Sequence, residues 1–276
     1  MDPHFVTTDW LAAHLGAPDV AIVDASWYLP AMGRDARAEY DAGHIPGAVF
    51  FPLDEIADKT VDLPHMLPDP QHFATAVGAL GISETMTIVV YDELGLFSAP
   101  RVWWTFCAMG AETVRILEGG GAKWRAEERP LETGARTPEP RRFAARSVND
   151  LLTDRAGVRE QLRSDPIQVV DARPAARFDG TTPEPRPGLK AGHMPGANNL
   201  PFTELSTDGI LKPVDELKSL FDNKGLDLDR PIVTTCGSGV TAATLLLALE
   251  RTGARSVRLY DGSWAEWGSR SDTDIA

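Results

Sequence analysis

The chain has 276 residues, 43% hydrophobic and 24% charged, with 7 Trp, 10 Phe and 4 Tyr, enough apolar material for packed cores and enough length for two domains of roughly 140 residues. A formal net charge of −13 repels phosphate backbones and anionic lipid, which argues against nucleic-acid and membrane-surface roles. The longest apolar stretch, 242–249, falls far short of the ~20 residues a membrane span needs, and no basic-then-apolar leader opens the chain, so a cytoplasmic protein is expected.

Taken in chain order, a helical pattern at 9–15 follows Thr8, and a short β-branched run at 20–24 ends on Asp24. The segment AGHIPGA at 42–48 reads as a turn. A helix is predicted at 70–80 behind Asp69, strands at 88–91 and 114–117, and between them an apolar helical run holding Cys107. The stretch 127–147, EERPLETGARTPEPRRFAARS, is rich in Pro, Gly and charge and has no apolar period, which marks a linker. Beyond it come strands at 167–171, 232–235 and 257–260 and helices at 213–221 and 241–251. Short apolar runs without alternation, separated by helices, predict an α/β class built on buried parallel strands.

The chain repeats itself once. AGHIPGA at 42–48 returns as AGHMPGA at 191–197, six identities in seven at an offset of 149. In the same order IVDAS at 22–26 answers VVDAR at 169–173, VRILEGG at 114–120 answers VRLYDGS at 257–263, and Trp124 answers Trp267. A single long period means a duplicated domain rather than a solenoid. The expected division is an N-terminal domain over 1–140, with a linker at about 128–147, and a C-terminal domain over 148–276.

Positions shared by the halves are expected to be structural, and unshared ones to carry specialised chemistry. His44 and His193 are shared turn histidines, and Asp24 and Asp171 close equivalent buried strands. The halves part where IVVYDELGLFSAP at 88–100 faces IVTTCGSGVTA at 232–242, so that Asp92 stands opposite Cys236. A strand that ends at Cys236, a loop holding Gly237 and Gly239, and a helix beginning near Thr241 together make an anion cradle: loop N–H groups and the helix N-terminus converge on the sulfur and favour its thiolate. The chain's two cysteines, Cys107 and Cys236, are too few for a disulfide framework or a cysteine-built metal site. Cys107, among Trp103, Trp104, Phe106 and Met109, is expected to be core.

Three chemistries use a strand, a cysteine, a loop and a helix. A thioredoxin-like site needs a second cysteine at 239, which is glycine, and a cysteine phosphatase needs arginine at 242, which is alanine. Attack of the thiolate on a sulfur atom, giving a persulfide cradled by amides, fits the small loop without arginine.

The CGSGVTA loop, both GH-[IM]-PGA turns and DGSW at 261–264 resemble the rhodanese superfamily, specifically its tandem-domain sulfurtransferases, over nearly the whole chain. The resemblance implies two tandem rhodanese-like domains, each a parallel sheet with helices on both faces, the first noncatalytic and the second catalytic, with no cofactor. The neutral loop Gly237-Ser238-Gly239-Val240-Thr241 resembles members that take sulfur from 3-mercaptopyruvate; thiosulfate, a dianion, would favour cations there. Arg177 and Arg186 match the family's substrate-binding arginines, and Arg173 is expected to pair with the strand-end Asp171. Asp35 and His44 are carried over as a proton relay with Ser238, against the structural reading that the repeat gives His44. Thr241 is expected to cap the helix. The implied acceptors are a thiol such as thioredoxin, a small thiol, or cyanide.

Overall fold

The computed structural model describes residues 2–164 and 168–276. The first five-stranded sheet is built from β1 (Phe5–Val6), β2 (Val20–Asp24), β3 (Ala48–Phe50), β4 (Thr87–Tyr91) and β5 (Thr113–Leu117), in the order β1-β5-β4-β2-β3. The second uses β6 (Leu152–Thr153), β7 (Gln168–Asp171), β8 (Asn198–Asn199), β11 (Ile232–Thr235) and β12 (Val257–Tyr260), in the order β6-β12-β11-β7-β8. A small pair, β9 (Ser206–Thr207) and β10 (Ile210–Leu211), stands apart from both. All strand pairs in the two five-stranded sheets are parallel, and the orders superpose element for element. The sheet is thus the repeat seen in the sequence, with strands buried on both faces as uninterrupted apolar runs require. Of the predicted strand 167–171, residue 167 lies outside the described residues.

The helices of the first half are α1 (Thr8–Ala13), α2 (Ala36–Ala42), α3 (Leu53–Ile56), α4 (Pro70–Ala79), α5 (Ala99–Ala108) and α6 (Gly120–Ala126). Those of the second are α7 (Arg155–Ser164), α8 (Ala175–Phe178), α9 (Val214–Asn223), α10 (Ala242–Arg251) and α11 (Ser263–Trp267). α5 and α10 follow the central strands β4 and β11 and are the most buried helices of their halves. In α10 every residue from Ala242 to Leu249 is buried, the reason it reads as a continuous apolar run rather than an amphipathic one. In α5 Cys107 alone escapes full burial.

The chain divides into two compact units that do not follow sequence order throughout. Unit 1 holds Met1–Asp58, Leu67–Val148 and Asp208–Ile210; unit 2 holds Lys59–Met66, Asn149–Thr207 and Leu211–Ala276. The segment read as a linker is strapped along unit 1: Arg141 N donates to Gly78 O at 2.9 Å and Val148 N to Ala108 O at 2.8 Å. Phe143 is buried and packs against Phe73 and Phe106. One buried aromatic residue in a largely polar stretch thus anchors it.

The two shared turns are built alike. His44 stacks on Tyr40 at 3.9 Å, with Nδ1 2.9 Å from Tyr40 O; His193 stacks on Phe178 at 3.8 Å, with Nδ1 3.0 Å from Phe178 O. Each histidine also exchanges two backbone hydrogen bonds with a later segment, His44 with Glu132 and His193 with Ala276. No helix among the described residues is long and apolar enough to cross a membrane.

Candidate active site

Cys236 directly follows β11 and is 2% exposed. Its peptide is held on both sides by the start of α11: Cys236 N donates to Ser263 Oγ at 3.3 Å, and Cys236 O accepts from Trp264 N at 2.9 Å. Gly237 O accepts from Ala265 N at 2.9 Å. The DGSW segment therefore clamps the cysteine loop to the adjoining strand end. Gly239 takes a left-handed φ of +78°, which lets the loop curl into α10 at a cost most side chains would find too high.

The capping role expected of Thr241 is corrected. Thr241 sits at the N-cap position with φ −78° and ψ −13°, and its side chain makes no capping bond. A capping hydroxyl needs extended backbone to reach back over the first turn. Here the chain is already wound: Ala243 N donates to Val240 O at 3.3 Å and Leu245 N to Thr241 O at 3.4 Å. Ser238 and Val240 are buried beside the cysteine in the sequence of the loop, at 7% and 3% exposure.

The equivalent loop of unit 1 shows what such a turn binds. Asp92 lies at the end of β4, and its carboxylate accepts N–H groups from Leu94 at 2.8 Å, Phe97 at 3.0 Å, Ser98 at 2.8 Å and Ala99 at 2.7 Å. Four backbone donors converge on one anionic group. Burial nonetheless pushes the Asp92 carboxyl above its usual range, the four N–H groups working against that rise. The second loop is one residue shorter, running from Cys236 to the start of α10 at Ala242, where unit 1 runs from Asp92 to the start of α5 at Ala99. In it Ala243 N donates to Val240 O at 3.3 Å.

Arg177 reaches the loop from α8. A Cβ on Gly237 would lie 2.9 Å from Arg177 Nη2, so the glycine is what lets the guanidinium approach. Arg177 is held from behind by Glu184, whose side chain is 1% exposed: Nε donates to Oε1 at 3.2 Å and Nη2 to Oε2. Glu184 Oε1 also accepts from Arg173 Nη1 at 2.7 Å. Arg173 pairs with Asp171 at 2.8 Å, donates Nη2 to Gly192 O at 2.9 Å and lies 4.3 Å above the Trp264 ring. The expected Arg173–Asp171 pair is present. Desolvation pushes the Asp171 carboxyl up while Arg173 opposes it. A row of alternating charge, the buried side chains of Asp171, Arg173 and Glu184 and then the half-buried Arg177, thus leads to the cysteine loop.

Arg186 lies further along the same segment, with Nη2 3.4 Å from His65 Nε2. His65 belongs to unit 2 although it precedes the linker in sequence; it is 5% exposed and holds a left-handed φ of +60°. Sequence reasoning missed it. Aligned on Pro68 and Pro213, His65 faces Ile210, an unshared position of the kind that singled out Cys236 against Asp92.

Asp35 and His44 belong to unit 1, where both have local work. Asp35 caps α2 by accepting from Ala38 N at 3.0 Å. His44 is 2% exposed, spends Nδ1 on Tyr40 O, and has Nε2 3.8 Å from Glu132 Oε2. His193 of unit 2 has the same stacking and the same Nδ1 contact.

Two parallel sheets of one topology, each with a loop between a central strand and its helix, and a free cysteine in one loop only, define a duplicated α/β protein with a single thiol site. A rhodanese-like domain matches residues 7–127 and again 154–270, and the chain belongs to the rhodanese family. It is similar to 3-mercaptopyruvate sulfurtransferase of Escherichia coli (strain K12), 46% identical over 272 residues covering 98% of this chain and 97% of the relative. The Homo sapiens 3-mercaptopyruvate sulfurtransferase is 45% identical over 273 residues, 96% of this chain and 92% of that one. The crystal structure of SseA from Escherichia coli, described as a 3-mercaptopyruvate sulfotransferase, superposes with a TM-score of 0.88 at 44% identity over 94% of this chain and 98% of the other.

Proposed function

We propose that the chain is a sulfurtransferase that takes the sulfur of 3-mercaptopyruvate onto Cys236, releases pyruvate, and passes the sulfur to a thiol or to cyanide. The observation that carries this reading is the contrast between two copies of one loop: four N–H groups close on a carboxylate in unit 1, while the second copy sets a buried free cysteine at that position.

In the first half-reaction Arg177 and Arg186 hold the carboxylate and carbonyl of the keto acid. The Cys236 thiolate attacks the donor sulfur, the carbon–sulfur bond breaks, and its electron pair leaves as the enolate of pyruvate. The enolate carbon takes a proton to become pyruvate, a role assigned in this reading to His65 because it lies beside Arg186. Cys236 is left as a persulfide whose outer sulfur is held by the loop from Gly237 to Thr241 and the Ser238 hydroxyl. In the second half-reaction an acceptor thiolate or cyanide attacks that outer sulfur, the sulfur–sulfur bond breaks, and the Cys236 thiolate returns. Thioredoxin or a small thiol in the cytoplasm is the acceptor class this chemistry suits, and no cofactor takes part. Gly237, Gly239 and Val240 shape the loop, while Asp35 and His44 serve the fold of unit 1.

The test is a mass measurement after treatment with 3-mercaptopyruvate alone, with pyruvate release followed in parallel. A gain of one sulfur atom on wild type and none on Cys236→Ser is expected, with turnover lost by at least ~10³-fold in the variant. Wild type without the mass gain, or turnover that survives Cys236→Ser, would overturn the reading. With cyanide as acceptor, faster turnover of thiosulfate than of mercaptopyruvate would reassign the donor.

A further inference from the structure

Ser263 holds a left-handed φ of +48° and is completely buried. Side chains avoid that conformation, and a buried serine held in it is strained. The equivalent residue of unit 1, by the match of VRILEGG to VRLYDGS, is Gly120, with φ +60°. Both halves therefore need a left-handed residue at the start of this helix, because the next N–H must reach the loop: Gly121 N donates to Asp92 O at 3.0 Å, and Trp264 N to Cys236 O at 2.9 Å. Unit 1 meets the need with the residue suited to it. Unit 2 uses a side chain that is not.

What the side chain adds is specific. Ser263 Oγ donates to Tyr260 O at 2.8 Å, which fixes the hydroxyl, and accepts the backbone N–H of Cys236 at 3.3 Å. A chain of hydrogen bonds thus runs from the peptide nitrogen of the cysteine through Ser263 to the end of β12. With Trp264 N on the carbonyl side, the Cys236 peptide is fixed at both polar atoms, which settles the direction in which its side chain leaves the strand.

We infer that Ser263 is a positioning residue for the thiol: its hydroxyl orients the Cys236 peptide so that the sulfur faces the loop N–H groups, and the backbone strain at Ser263 is kept for that purpose. The inference rests on the sulfurtransferase reading for its role in turnover, though the orientation of the thiol is measurable without it.

Two variants separate strain from hydroxyl. Ser263→Gly removes both, and unit 1 shows that glycine is compatible with this turn; Ser263→Ala removes the hydroxyl and keeps the strain. The inference expects kcat for mercaptopyruvate with cyanide to fall at least tenfold in both, with KM for mercaptopyruvate within about twofold of wild type, since Arg177 and Arg186 are untouched. It also expects Ser263→Gly to melt above Ser263→Ala, so that activity follows the hydroxyl while stability follows the strain. The alkylation rate of Cys236 by iodoacetamide across pH 5–9 should shift equally in the two variants. Ser263→Gly with wild-type kcat and a wild-type alkylation profile would overturn the inference, as would a loss confined to KM. Should wild type itself release no pyruvate, the functional reading fails, and the alkylation profile alone decides whether Ser263 orients the thiol.

Discussion

Asp92 and Cys236 are the same position in two copies of one loop, and the carboxylate of Asp92 gathers four backbone N–H groups of its loop. Oδ2 alone accepts from Phe97, Ser98 and Ala99 at 2.7–3.0 Å. Unit 1 thereby satisfies the N–H groups of its loop within the chain. The duplication thus yielded one loop closed on a carboxylate and one that carries a thiol, without a change of fold.

Asp92→Ala should accordingly destabilise unit 1 while sparing chemistry at Cys236. It leaves buried N–H groups without acceptors, each costing about 1–3 kcal/mol, so the loss is expected to be on the order of 2–5 kcal/mol once water partly replaces the carboxylate. Urea unfolding followed by Trp fluorescence checks the first part, and kcat on mercaptopyruvate in the absence of denaturant checks the second. An unchanged unfolding midpoint would mean that the four hydrogen bonds do not hold the loop.

Asp24 predicts a pH dependence. Burial pushes its carboxyl from 3.8 to about 6, against the hydrogen bonds from Ser26 and Tyr91. A carboxyl raised in the native state binds its proton more tightly folded than unfolded, so its contribution favours folding below about pH 4 and is lost as pH rises through about 6. Two pKa units correspond to about 3 kcal/mol. Asp24→Asn keeps an acceptor for Ser26 N and removes the titration, so its stability relative to wild type should improve by about that amount between pH 4 and pH 7. A difference constant with pH would show that Asp24 ionises freely in the fold.

The reach of sequence reasoning follows from where the physical constraints are local. The GH-[IM]-PGA turns were legible because their second glycines must be left-handed, Gly47 at φ +83° and Gly196 at +79°, a requirement that preserves residue identity through duplication. The strands were legible as buried apolar runs, and Cys236 as an unshared residue framed by glycines. Arg177 was found by resemblance, but its partner Glu184 was not, since a buried carboxylate between two arginines looks in sequence like surface charge. His65 was missed for a different reason: the units exchange Lys59–Met66 and Asp208–Ile210, and no periodicity in either segment announces an exchange made by tertiary contacts. Thr241 misled because a threonine before a helix usually caps it, whereas this loop enters the helix already wound.

Glu184 predicts a shift in donor choice. Its carboxylate takes the Nε and Nη2 edge of Arg177 and one nitrogen of Arg173, and is itself 1% exposed. One negative charge therefore offsets Arg177 from behind, which suits a donor with a single carboxylate better than a dianion. Glu184→Gln keeps an oxygen for one arginine and removes that charge, while Arg173 keeps Asp171 at 2.8 Å, so the segment retains an anchor. A unit charge removed at about 5–10 Å is worth on the order of 2–3 kcal/mol at an effective dielectric near 20, more for two charges than for one. The ratio of kcat/KM for thiosulfate to that for mercaptopyruvate should rise by about tenfold, and KM for mercaptopyruvate should rise as Arg177 loses its fork. Steady-state rates on both donors with cyanide as acceptor decide it. A lower melting temperature with an unchanged ratio would make Glu184 a scaffold for the arginines and nothing more.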